Sequence, residues 1–133
     1  MKSRETVLIV DDSVESLNFL TDALEDAGFT VLVALNGLAA MAELGHGSFD
    51  AVLLDLDLPG VDGFQIARLI RQREHVGQRM PIVAVTARSG SEDEARARAA
   101  GMDGFLHKPL SGEQLANALA LMAAAPSAEM GVR

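Results

Sequence analysis

Four short apolar runs punctuate the chain, Val7 to Val10, Val31 to Leu35, Ala51 to Leu54 and Ile82 to Val85, with a weaker fifth at Phe105 and Leu106. Each is bounded by polar or turn residues, the pattern of strands buried on both faces of a sheet. Between the runs, apolar residues recur at helical spacing: Leu17, Leu20, Leu24 and Ala27; Leu38, Met41 and Leu44; Ile66, Leu69 and Ile70; Leu115, Leu119 and Met122. The stretch from Glu92 to Ala100 is Ala-rich and charged, so it reads as helix by propensity rather than by an apolar stripe. Five βα units in series predict a parallel sheet with right-handed crossovers and helices on both faces.

The punctuation agrees with this reading. Asp12 and Ser13 are placed to cap the first helix, Asn36 the second, Ser91 the fourth and Ser111 the fifth, while Gly28 and Gly101 stand where left-handed helix ends favour glycine. Five units predict a doubly wound, flavodoxin-like α/β fold, a (βα)5 three-layer sandwich with strand order 2-1-3-4-5. The unit is expected to span residues 1–123, leaving 124–133 as a flexible tail.

Composition narrows the class. At 133 residues the chain is the size of one domain and long enough to form its own core. Cysteine is absent, which removes disulfides and thiolate metal sites and agrees with a reducing, cytoplasmic setting. A net charge of -8 opposes a phosphate backbone, so nucleic acid is not an expected partner. No apolar run approaches the roughly 20 residues that span a bilayer, so no membrane association is expected either. With five Phe and neither Trp nor Tyr, the core must be aliphatic, and each Phe is conspicuous.

Charge changes the picture most at the strand ends. Ligands of open α/β sheets bind beyond the carboxyl ends of the strands, where the strand order reverses. The first run ends in Asp11 and Asp12, the third in Asp55, the fourth in Thr86 and the fifth in His107 and Lys108. Two carboxylates about 5 Å apart repel by roughly 3 kcal/mol at an effective dielectric of about 20, so three together require a counter-ion or a proton. Hard oxygen donors without Cys or paired His select Mg2+, or Mn2+, over zinc. Lys108 supplies a compact cation for a phosphoryl oxygen and Thr86 a hydroxyl donor. Carboxylate, divalent metal, ammonium and hydroxyl together point to phosphoryl transfer onto an aspartate.

The segments Val7-Leu-Ile-Val-Asp-Asp12, Val52-Leu-Leu-Asp-Leu-Asp-Leu-Pro-Gly-Val-Asp-Gly63, Pro81-Ile-Val-Ala-Val-Thr-Ala87 and Ala100-Gly-Met-Asp-Gly-Phe-Leu-His-Lys-Pro109 carry a resemblance over residues 5 to 123. They resemble the response regulator receiver domain of two-component, CheY-like systems. The resemblance implies Asp55 as phosphoacceptor, Asp11 and Asp12 as Mg2+ ligands together with Asp55 and the backbone carbonyl of Asp57, and Lys108 pairing with the phosphoryl group. It further implies a Thr86 and Phe105 switch pair, a cis bond before Pro109, and an output face on helix four, strand five and helix five. The donor it implies is a histidine kinase or a His-containing phosphotransfer protein. The output is a downstream protein target or kinase domains in cis, with no enzymatic activity beyond transfer onto the domain's own aspartate. Phosphorylation adds about one negative charge and further acceptor oxygens, which draw in the Thr86 hydroxyl and make room for the Phe105 ring.

Each residue also has a plainer reading. Asp11-Asp12 reads as a helix cap, Thr86 as a strand-end hydrogen bond, Lys108 as a loop lysine and Phe105 as core; their joint placement at four strand ends favours the site. Pro59-Gly60 and Asp62-Gly63 read as turns. His46, His75 and His107 show no ligand spacing. The resemblance makes the position two after the acceptor variable, and here it is another acid, Asp57, whose charge is expected to tune acyl-phosphate lifetime and metal affinity; Phe105, lacking a hydroxyl, is expected to favour an inward ring. Among alternatives, Asp55-Leu-Asp57 also resembles the nucleophile motif of haloacid dehalogenase-like phosphatases, but those take their second acidic pair from downstream, and here it lies upstream. A flavodoxin-like cofactor carrier lacks its phosphate loop, and a phosphate-independent degenerate receiver is disfavoured because every acceptor-site residue is present.

Overall fold

The computed structural model describes residues 6–47, 49–58, 60, 62–74, 79–87 and 91–123. Strand and helix alternate throughout: β1 (Thr6–Val10), α1 (Val14–Asp26), β2 (Thr30–Ala34), α2 (Gly37–His46), β3 (Ala51–Asp55), α3 (Gly63–Arg73), β4 (Ile82–Thr86), α4 (Ser91–Ala99), β5 (Gly104–His107) and α5 (Gly112–Ala123). All four pairings are parallel and the order is β2-β1-β3-β4-β5, as the alternation predicts.

The period-2 geometry of the strands divides the core in two. Leu8, Val10, Val52, Leu54, Ile82 and Ala84 point to one face and are covered by Ala40, Phe64, Ile66, Ala67, Ile70 and Ala97 of α2, α3 and α4. Val7, Ile9, Leu53, Val83 and Val85 point to the other, against Leu17, Leu20 and Leu24 of α1 and Leu115 and Ala118 of α5. The helix ends follow local chemistry. Ser13 Oγ accepts from Ser16 N–H, Asn36 Oδ1 from Ala39 N–H and Ser111 Oγ from Gln114 N–H, so three predicted caps are observed. The fourth, Ser91, has its side chain outside the described residues. Gly28 and Gly101 both have φ near +100°, and at Gly101 a Cβ would also meet Arg71 Cγ at 2.8 Å.

Several expectations are corrected. β2 is not buried on both faces: Leu32 and Val33 are 42% and 39% exposed, because β2 is an edge strand paired only with β1. Leu38 is 78% exposed and Leu69 is also at the surface. Because α2 lies over the sheet margin, the small residues Gly37 and Ala40 face inward there, with Met41 and Leu44 partly buried. On α3, Phe64 and Ala67 take the inner positions that the spacing assigned to Leu69. Ala27 is an exposed cap residue rather than core. Asp62, read as a turn, is the N-cap of α3, its Oδ1 accepting from Phe64 N–H at 2.9 Å. Pro59, His75 and the tail 124–133 lie outside the described residues, as does the Met122 side chain.

Candidate functional site

β1 and β3 are neighbours, so the residues that follow their last apolar positions share one crevice. Asp11, Asp12 and Asp55 each present a carboxylate oxygen there, all within 4.8 Å of one another. Asp11 and Asp55 are buried and Asp12 is exposed. Local backbone geometry aims two of them: Asp11 Oδ1 accepts from Ser13 N–H at 2.9 Å and Asp55 Oδ1 from Asp57 N–H at 2.9 Å.

Lys108 reaches the crevice from the loop after β5. Its Nζ lies 3.3 Å from Asp11 Oδ1 and 3.4 Å from Asp55 Oδ2. It also stands 3.2 Å from Asp11 Oδ2, yet its geometry leaves that oxygen without a hydrogen bond. Asp11 Oδ2 is the one such buried side-chain polar atom among the described residues. The Lys108-Pro109 bond is cis.

The electrostatics follow from burial and crowding. Asp55 has its pKa raised to about 6, first by burial and then by the Asp11 charge, with the Asp57 N–H and Lys108 acting in the opposite direction. Burial opposes the charge on Lys108, but Asp55 and Asp11 outweigh it and hold the ammonium pKa above the ordinary lysine value. One lysine therefore faces three acids. The buried Asp11 oxygen, ion-paired with Lys108 but without a hydrogen bond, and the all-oxygen ligand set fit a hard divalent cation.

The sequence reading placed Asp57 at the site mouth through its charge and backbone carbonyl, and it missed the contact its side chain makes. Asp57 Oδ2 accepts from the Thr86 hydroxyl at 3.0 Å and from Ala87 N–H at 3.1 Å. The available signal was an acid two residues past one strand end, beside a hydroxyl at the end of the adjacent strand. Thr86 is fully buried. Phe105 is half-buried, packed against the core cluster on the α3 side, with its ring centroid 5.0 Å from that of His107. His46 and His107 are exposed and join no cluster with the acids among the described residues.

The family model of the response regulator receiver domain matches residues 7–120. The sensor histidine kinase GacS of Pseudomonas protegens is 41% identical over 112 residues, covering 83% of this chain and 12% of that kinase. The chain thus spans about an eighth of that curated relative. The chemotaxis response regulator CheY4 of Vibrio cholerae superposes with a TM-score of 0.82 at 29% identity, covering 90% of this chain and 99% of that one. The receiver domain of sensor histidine kinase PA1611 from Pseudomonas aeruginosa PAO1, solved with a magnesium ion coordinated in its active site cleft, gives 0.79 at 29% identity and covers 92% of this chain and 100% of its own.

Proposed function

This chain belongs to the response regulator receiver domain family of two-component systems, and on that premise we propose that Asp55 accepts a phosphoryl group from a phosphohistidine. The observation that carries the reading is the convergence of Asp11, Asp12 and Asp55 in one crevice, where Lys108 pairs with Asp11 and Asp55 and a buried Asp11 oxygen has no hydrogen bond.

In the proposed step an Asp55 carboxylate oxygen attacks phosphorus in line with the bond to the donor imidazole. A P–O bond forms, the P–N bond breaks, and its electron pair leaves with the imidazole, giving an acyl phosphate and a free histidine. Burial and the Asp11 charge oppose ionisation of Asp55, and Lys108 favours the ionised, nucleophilic form. Lys108 Nζ is within one hydrogen-bond length of Asp55 and is placed to hold a phosphoryl oxygen. Asp11, Asp12 and Asp55, with the Asp57 backbone carbonyl, would hold Mg2+, which when bound supplies positive charge to the transferring phosphoryl oxygens.

Thr86 and Ala87 N–H then trade the Asp57 carboxylate for the new anion, and the buried hydroxyl moves toward Asp55 while the Phe105 ring fills the space vacated. Asp57, by holding these donors beforehand, sets the lifetime of the acyl phosphate. The output face is α4, β5 and α5. The receiver unit runs to residue 123, where α5 ends. The donor is a histidine kinase or a His-containing phosphotransfer protein. The signal goes to a protein target or to kinase domains in cis, in the cytoplasm, and the domain catalyses nothing beyond its own modification. No helix among the described residues is long and apolar enough to cross a membrane.

The test is to offer a labelled phosphohistidine donor with Mg2+ to the parent chain and to Asp55→Asn. Label on the parent alone, lost when EDTA is added, is expected. Label retained by Asp55→Asn, or transfer without metal, overturns the proposal.

A further inference from the structure

β5 closes the sheet, so one side of its backbone meets β4 and the other has no strand beside it. Lys108 N–H donates inward to Thr86 O at 2.8 Å. The backbone groups of His107 point the opposite way, as alternation along a strand requires. Gln114, in the first turn of α5, meets them. Its Oε1 accepts from His107 N–H at 2.7 Å, and its Nε2 donates to His107 O at 3.0 Å and to Pro109 O at 3.3 Å. The amide orientation is fixed by chemistry, because reversing it would set a donor against a donor and an oxygen against two carbonyls. Gln114 N–H in turn donates to Ser111 Oγ at 3.2 Å, which anchors the turn from which the side chain reaches back.

One side chain thus holds the peptide groups on both sides of Lys108, while β4 holds the N–H of Lys108 itself. A lysine stem has four rotatable carbons, and the share of its rotamers that reach the acids depends on how firmly its origin is held. Only a neutral amide satisfies all three contacts. A carboxylate accepts from His107 N–H but faces two carbonyls, and an ammonium cannot accept at all.

We propose that Gln114 is a positioning residue for Lys108, bracketing the loop after β5 so that the ammonium is delivered to Asp11 and Asp55. The proposal rests on the phosphoacceptor reading for its effect on transfer, but not for its effect on Lys108. Two measurements on the full chain separate them. In the first, acetyl phosphate with Mg2+ phosphorylates the parent, Gln114→Met, Lys108→Ala and the double variant. Gln114→Met is expected to slow labelling about fivefold to tenfold and to add nothing in the Lys108→Ala background, since the two act as one unit. Equal slowing in both backgrounds, or none in either, overturns the proposal.

The second measurement needs no phosphorylation. Lys2 and Lys108 are the only lysines, so reductive methylation in EDTA, read by mass spectrometry, reports Lys108 against Lys2 as internal reference. Lys108 is expected to react several times faster in Gln114→Met than in the parent, and an unchanged ratio overturns the proposal. If the parent takes no label at all, the phosphoacceptor reading fails while the methylation ratio still decides the role of Gln114. Should Gln114→Met not fold, Gln114→Glu, which keeps the bond from His107 N–H, carries the same two readouts and the same criteria.

Discussion

At the carboxyl ends of the strands Asp11, Asp12 and Asp55 face a single lysine, while at the amino ends Arg71 and Arg79 meet Glu74 and Asp103 in equal number. Arg71, 15% exposed at its side chain, donates to Glu74 and Asp103 and to the carbonyls of Met80 and Gly101, all at 2.7–2.9 Å. Asp103 also takes Arg79 and the Ile82 N–H, and Glu74 takes the Met80 N–H. One cluster is balanced and saturated, so it joins α3, β4 and the turn before β5 into a rigid base. The other is short of positive charge and keeps an unbonded oxygen, so it stores unfavourable electrostatics that a ligand can relieve. Similar residue types give a structural clamp at one end and a reactive crevice at the other.

The largest expected contrast is between removing charge at the two ends. Asp55→Asn should abolish labelling yet raise stability, whereas Arg71→Met should leave labelling in place and cost about 2–4 kcal/mol in urea unfolding, because it removes the guanidinium shared by two carboxylates and two carbonyls. A stability loss under about 0.5 kcal/mol for Arg71→Met would remove the clamp from the comparison.

The stabilisation by Asp55→Asn carries a pH signature. The folded pKa of Asp55 is raised to about 6, above the unfolded value of 3.8. Its contribution to stability is therefore fully present below the unfolded value and is lost as pH rises through about 6. In EDTA the Asn variant should exceed the parent by about 2–3 kcal/mol near pH 8 and converge with it towards pH 4. A gap that does not vary with pH would separate Asp55 from the crowding described here.

Mg2+ probes the same imbalance from outside. At about 100 times its dissociation constant it should stabilise the parent by about 2.7 kcal/mol, and Asp11→Asn or Asp12→Asn should lose most of that gain. Arg71→Met should keep it, which thermal shifts with and without metal will check.

The smallest effect belongs to Asp57→Asn. An amide can still accept from Thr86 and Ala87 N–H, so stability should change by less than about 1 kcal/mol. The dephosphorylation rate and Mg2+ affinity should shift by a few fold through loss of charge. Unchanged values of both would leave Asp57 a loop tether without influence on the crevice.

Legibility from sequence differed between the two ends in the same way. Asp11, Asp12, Asp55, Thr86 and Lys108 were readable because each ends an apolar run, and parallel topology brings those ends together whatever the side-chain packing. Arg71, Asp103 and Gln114 were not, because none of them ends an apolar run and their partners are backbone groups or side chains that only the fold brings near. Leu38 and Leu69 failed for a related reason: helical spacing gives a face but not its phase against the sheet, and α2 and α3 turn Ala40, Phe64 and Ala67 inward instead.

What the sequence determined alone is the order of elements, the parallel sheet and the membership of the acidic crevice, since periodicity and the ends of apolar runs are local properties. Only the tertiary structure decided that Asp57 reaches across to Thr86 and Ala87, that Asp11 keeps an unbonded oxygen, and that Gln114 grips the loop carrying Lys108. The first two depend on distances between loops from different strands, set by how the strands pack side by side, and the third on how α5 folds back against the end of β5; no one segment's pattern carries them.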